Sequence, residues 1–217
     1  MARLPALIDA LALCDDRPRG TIDHIARALR EAGLIQTTKR GRGAAEMTAR
    51  DAAALVLGLY GLADASPDAI AQAQVLGDLK RFGRATRKGS PVGEHDPLPD
   101  VLRPITTAQT LLDAVAALIE LAPFLDPSTG AKEATVTGRF HAALELRRPR
   151  LSASIQINWR SAAPDRQGIT VSYHLTGRPN GRSTAEEAYA VTTRVMRPVL
   201  ITLHSTLFPQ AESGPRA

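Results

Sequence analysis

Cysteine occurs once in these 217 residues, at Cys14, which excludes an internal disulfide and any cysteine-based zinc site built by one chain. Cys14 itself is expected at a helix end, packed against the core. Aromatic residues supply only 4% of the sequence, with a single tryptophan. No apolar run reaches the ~20 residues that a membrane-spanning helix needs, and Arg3 and Pro5 break up the stretch where a secretory leader would lie. A cytoplasmic chain without a membrane partner is therefore expected.

What the chain has in quantity is positive charge and aliphatic surface. Its 27 Lys and Arg outnumber 22 Asp and Glu, for a net charge of +5, and the pI is near 9.9. Most of the cations are guanidinium groups, which bind phosphate and carboxylate bidentately, so an acidic partner is implied, most simply nucleic acid. A hydrophobic content of 44% over this length suffices for one large core or two modest ones.

Amphipathic patterning begins with Leu4, Leu7, Ile8, Leu11 and Ala12, a first helix, followed by a turn from Asp15 to Gly20. Thr21 reads as the N-cap of a second helix, with Ile22, Ile25, Ala26, Leu29 and Ala32 on one face and His24, Arg27, Arg30 and Glu31 on the other. Gly33 suits a left-handed C-cap, and Leu34 and Ile35 return the chain to the core. The next stretch, TTKRGRGAAE, sets Lys39, Arg40 and Arg42 among Gly41 and Gly43, presenting charge on a backbone able to follow a phosphate chain closely. Thr48 then starts a third helix, with Asp51 at its third position and Ala52, Leu55, Val56 and Leu59 as its buried stripe.

The succession LREAGLI, a basic glycine-containing loop, then MTARDAAAL resembles the MerR-like and related winged helix-turn-helix regulators, over Thr21 to Leu57. That resemblance implies a DNA-binding regulator. The helix before the glycine would face the major groove with His24, Arg27 and Arg30, and the wing would grip phosphate or minor groove with Lys39, Arg40 and Arg42. Where MerR-like chains carry aromatic residues ahead of the glycine, this one has Ala28, Leu29 and Arg30. The same residue order also suits a helical hairpin with a solvated turn.

Ser66-Pro67-Asp68 signals a further helix that continues through Ile70, Ala73, Leu76 and Leu79 and runs into Lys80, Arg81, Arg84, Arg87 and Lys88. These cations read either as a solvated helix end favourable to the dipole or as a second phosphate contact. GSPVGEHDPLP, rich in Pro and Gly, then marks a linker. The expected division is a helical winged helix-turn-helix domain at 1–88, a linker at 89–103 and a second domain at 104–208.

In that second domain Thr106 is expected to cap a helix carrying Leu111, Leu112, Val115, Leu118 and Ile119 and ending at Pro123. Three alternating runs follow: Val136 to Leu146, Leu151 to Trp159 and Ile169 to Leu175. A hairpin tip at Arg148-Pro149 pairs Leu146 with Leu151, Phe140 with Ile157 and His141 with Gln156, matching apolar with apolar and polar with polar. A last helix, capped by Ser183 with Glu186 behind it, is expected to run through Tyr189, Val191 and Val195 to Leu207, kinked at Pro198. The fold class is thus α+β: a helical domain, then a helix, a three-stranded antiparallel sheet and a long helix.

The polar strand face of this domain offers His141, His174, Gln156, Asn158, Arg139 and Glu145, but no nucleophile turn, no paired carboxylates and no metal-binding spacing. Neither an enzyme nor a cofactor is expected. Phe140, Trp159 and Tyr173 fall on the opposite, buried face, away from any base-stacking role. Together these features lead to the expectation of a sequence-specific transcription regulator, with a phage or mobile element as a candidate source. It would bind double-stranded DNA as a homodimer, its second domain serving dimerisation or a protein partner. Two other readings fit the same architecture: a protein-interaction or anti-defence module with an autoregulatory helix-turn-helix, and a DNA-packaging or replication accessory protein.

Overall fold

Apolar residues spaced three and four apart build α1 (Leu4–Ala12), which buries Leu7, Ile8 and Leu11, and α2 (Arg19–Glu31), which buries Ile22, Ile25, Ala26 and Leu29. The computed structural model describes residues 2–36, 46–61, 67–93, 98–125, 140–148, 151–160, 166–174 and 191–209. The second helix begins two residues before the expected cap. Pro18 occupies the N-cap position without a side-chain bond, and the Thr21 N–H donates to the Pro18 carbonyl at 2.9 Å within the first turn.

The third helix, α3 (Ala49–Gly61), is buried on every side rather than along a stripe. Its alanines and two glycines make it thin. A Cβ at Gly58 would overlap Leu29 of α2, and one at Gly61 would overlap Leu76 of α4 (Pro67–Gly77), so both neighbours approach closely. The expected start of α4 at Ser66 lies outside the described residues; its Pro67 and Asp68 are helical.

Beyond α4 the chain does not continue as a basic helix end. Leu79 is fully buried and its carbonyl accepts the Leu111 N–H at 2.9 Å; of the cations that follow, Lys80, Arg81 and Arg87 enter strands, and Arg84 and Lys88 lie between them. Lys80–Arg81 (β1), Thr86–Arg87 (β2) and Ser90–Pro91 (β3) join a mixed set of antiparallel partners, β1 and β2 both pairing with β6 (Arg166–His174). The stretch expected as a linker is part of the packing, since Val92 and Leu102 are buried in the same apolar cluster that holds Leu7, Leu55 and Leu203.

A short 3-10 turn (Asp100–Leu102) leads into α5 (Arg103–Thr107), α6 (Leu111–Glu120) and α7 (Ala122–Leu125). The cap of α6 is Thr110, whose hydroxyl accepts the Asp113 N–H at 3.2 Å; Thr106 instead donates its hydroxyl to the Arg103 carbonyl. Pro123 does not end α6 but lies within α7.

Among the described residues the sheet has seven strands, in the order β3-β2-β6-β5-β4-β7, with β1 also on β6. Its centre is β4 (His141–Arg148), β5 (Ser152–Arg160) and β6. The pairing of β4 with β5 sets Leu146 opposite Ala153, Ala142 opposite Ile157 and His141 opposite Asn158. This register lies two residues from the expected one, a shift that keeps every side chain on its face. The fourth long strand, β7 (Val191–Met196), pairs with β4 where a helix was expected. Its β-branched Val191, Thr192, Thr193 and Val195 favour the strand, and Pro198 opens the helix α8 (Arg197–Leu207) at its first turn rather than kinking a longer one. Residues 175–190, with the expected Ser183 cap and Glu186, lie outside the described residues.

The protein is therefore α+β, with N-terminal helices, an antiparallel sheet and a C-terminal helix. Helices α3 and α8 pack on the inner face through β4 and β7, and the Tyr173 hydroxyl of β6 approaches the Ile105 carbonyl of α5. Among the described residues no helix is long and apolar enough to cross a membrane. If Thr110 is the cap of α6, Thr110→Ala lowers stability by about 1 kcal/mol, read as a fall in Tm, while Thr106→Ala stays within roughly 0.5 kcal/mol of the parent.

Candidate nucleic-acid interface

The C-terminus of α2 closes in a Schellman turn. Gly33 takes φ +75°, its N–H donates to the Arg30 carbonyl at 3.0 Å, and the Leu34 N–H donates to the Leu29 carbonyl at 2.9 Å. Ile35 then plunges into the core. After the basic loop the chain returns through Met47, which is buried and donates its N–H to the Ala2 carbonyl at 2.9 Å. Both ends of the loop are thus anchored in apolar packing.

A single carboxylate joins them. Asp51, 5% exposed in the first turn of α3, accepts the Gln36 N–H on Oδ1 at 3.0 Å and the Thr48 N–H on Oδ2 at 2.9 Å. The Thr48 hydroxyl also donates to Oδ2 at 2.7 Å and accepts the Asp51 N–H at 3.2 Å, completing a reciprocal cap. Gln36 lies immediately before residues 37–45, which carry Lys39, Arg40 and Arg42, and Thr48 lies three residues after them. Residues 37–45, with these three cations, lie outside the described residues.

The face of α2 that leads to this loop is open. His24, Arg27 and Arg30 are exposed along one side of the helix, and Arg27 makes only a surface ion pair with Asp23, at 3.6 Å. The helix is held by the turn before it. Arg17 bonds the Asp15 carboxylate twice, donates Nη1 to the Leu59 carbonyl of α3 at 2.6 Å, and lies 5.4 Å over the Tyr60 ring. The hydrogen bond from Arg17 holds the Asp15 carboxyl below its ordinary value.

The second group of cations is arranged differently. Lys80, Arg84 and Lys88 are exposed, while Arg81 and Arg87 are half-buried. Arg81 is turned inward, its guanidinium donating to the Thr106 carbonyl and its N–H to the Gln109 carbonyl. Gly83 at φ +67° accommodates the bulge that projects Arg84, and Lys88 and Gly89, both left-handed, form the two-residue turn between β2 and β3. This hairpin sits at one end of the strand order. Because α2 packs on α1 and α3, and α3 meets the sheet at β4 and β7, the two basic groups are carried by different ends of the fold.

Phe82, which sequence patterning gave no reason to single out, joins His174 and Glu145 of the polar strand face. Phe82, 56% exposed, donates its N–H to the Ser172 carbonyl at 2.8 Å and sets its ring 4.7 Å from that of His174 on the open face of the sheet. Burial and then the nearby Arg147 charge hold His174 below its ordinary pKa. On the same face Glu145, 4% exposed, lies under Arg194 and Arg147, and its hydrogen bonds from Arg194 hold its carboxyl low. Among the described residues no group of three or more His, Cys, Asp or Glu is placed to hold a metal ion.

Set against protein-family models, curated proteins and solved structures, the chain matches none. Its function has to be read from its own residues. The loop anchor gives a direct expectation: Asp51→Ala leaves three donors without their acceptor and costs about 2–3 kcal/mol. Amide hydrogen exchange of Gln36 and Thr48 accelerates in that variant well beyond the change at Leu34.

Proposed function

We propose that this chain is a sequence-specific regulator of transcription that binds double-stranded DNA, with residues 37–45 as its wing and α2 as the helix that enters the major groove. The observation that carries this reading is the Asp51 carboxylate, which ties Gln36 to Thr48 and so fixes both ends of a loop containing Lys39, Arg40, Arg42 and two glycines. The glycines of this segment allow close backbone approach to a phosphate chain, and its cations supply the charge. The reading is supported further by the open face of α2, where His24, Arg27 and Arg30 make no buried bond, and by the net charge of +5. In this reading α2 supplies base contacts, the loop supplies phosphate contacts, and the sheet half serves pairing of two copies on a two-fold site.

The test is fluorescence anisotropy on duplex fragments from the coding region's own neighbourhood, at several salt concentrations with excess random competitor. A K39A/R40A/R42A variant weakens binding to all duplexes alike and flattens the log–log salt slope by about 3, as loss of three phosphate contacts requires. Arg27→Ala relaxes base preference instead, in line with the ~1–3 kcal/mol that a base contact contributes to discrimination. Unchanged binding by the triple variant removes the wing from the reading, and a uniform loss for Arg27→Ala reassigns that residue to the backbone.

A further inference from the structure

The outer face of the sheet carries a second set of cations, apart from those of residues 37–45. Strand pairing fixes its layout. Lys80 faces His174, His174 faces Ser152, Ser152 faces Arg147 and Arg147 faces Thr192 in one row across β1, β6, β5, β4 and β7. The neighbouring row holds Ser172, Ser154, Glu145 and Arg194, with Phe82 continuing β1 beside Ser172. Phe82 therefore stands on the strand of Lys80 with His174 on the next strand, while Arg147 and Arg194 lie roughly 14 Å and 19 Å from β1 across the sheet at ordinary strand spacing.

Among the described residues the accessible charge on this face is positive. Glu145 is its one carboxylate among the described residues, and it is buried beneath Arg194 and Arg147, whose side chains remain more than half exposed. Lys80 is exposed as well. Between the cations the surface is made of half-buried Ser152, Ser154, Ser172, Thr170, Gln156 and Asn158, uncharged groups that donate and accept hydrogen bonds. The Ser154 hydroxyl is inaccessible and has no partner. The described helices that reach the sheet lie against its other face, so nothing in them shields Phe82.

We infer that this face is a platform for single-stranded nucleic acid, on which a base stacks against Phe82 beside His174 while Lys80, Arg147 and Arg194 meet the phosphates. An exposed aromatic within a field of cations matches the two components of such binding, a π-surface for an unstacked base and positive charge along the backbone. A duplex keeps its base faces covered and offers Phe82 nothing to stack on. The inference does not rest on the wing. It extends the chain's nucleic-acid chemistry to a surface on the opposite part of the fold.

The probes are fluorescein-labelled dT15 and U15, titrated by anisotropy with the full-length chain. Phe82→Ala is expected to weaken binding of the preferred oligonucleotide about tenfold. Phe82→Trp retains binding and shows quenched tryptophan emission on saturation, against the buried Trp159 as background. A preference for U15 assigns the platform to RNA, and equal or stronger binding of dT15 assigns it to single-stranded DNA. In the K39A/R40A/R42A background Phe82→Ala still weakens oligonucleotide binding about tenfold. Should Phe82→Ala bind like the parent, alone or in the K39A/R40A/R42A background, or Phe82→Trp emission stay constant, the platform is overturned. Loss of duplex binding alone, with Phe82-dependent binding of dT15 or U15 intact, removes the regulator reading and leaves the platform standing.

Discussion

The fold is organised around α3, and α3 starts at a buried carboxylate. Asp51 sits where the chain emerges from the basic loop, and a group so removed from water persists only if its lone pairs are matched by donors. Gln36 and Thr48 supply those donors, so the requirement to satisfy one acid closes the loop and begins the helix together. From there the helix is composed largely of alanine, leucine and glycine, with no solvent face to maintain. Its slimness lets α2 and α4 approach through Leu29 and Leu76, and it also packs on α6 and on the sheet through β4 and β7. The orientation of α2, and with it the direction of Arg27 and Arg30, follows from this contact and from the bond of Arg17 to the last turn of α3.

The sheet divides the remaining chemistry between two faces. Inward, Leu144, Ile155, Ile157, Val171 and Tyr173 are fully buried, and the hydrophobic effect acting on this side sets the strand register. Outward, side chains are short and uncharged except for arginines, a lysine and the acid they cover. Placing Glu145 under two guanidinium groups neutralises the only exposed-face carboxylate among the described residues and leaves the surface positive. Basic groups are thus carried on α2, on the β2–β3 hairpin and across the sheet, which accounts for how a net charge of +5 is distributed rather than merely summed.

Much of this was legible in the residues themselves. The apolar spacing of α1 and α2, the left-handed Gly33, the Thr48–Asp51 cap and the strand alternation around Leu144, Ile155 and Val171 all stand as read. Other features were hidden for physical reasons. A two-residue slip between β4 and β5 preserves which face each side chain occupies, so alternation alone cannot detect it. Strands as short as Lys80–Arg81 have no period, and exist because β6 offers them an edge. Val191 to Met196 carries spacing compatible with either state, and its pairing with β4 decides for strand. Phe82 lies far in sequence from the strands it joins, which concealed an aromatic on the open face. At the candidate interface the exposure of His24, Arg27 and Arg30 follows the amphipathic pattern, whereas the inward turn of Arg81 depends on the Thr106 and Gln109 carbonyls that tertiary packing brings to it.

The central claim is that a loop held at both ends by Asp51 is what the chain offers to duplex DNA. Hydrogen–deuterium exchange of the full chain, with and without saturating duplex, tests it most directly. The account predicts that peptides covering residues 37–45 slow markedly on binding, while the Gln36 and Thr48 amides are protected already in the free protein and change little. Exchange in 37–45 that stays the same at saturation would contradict the account.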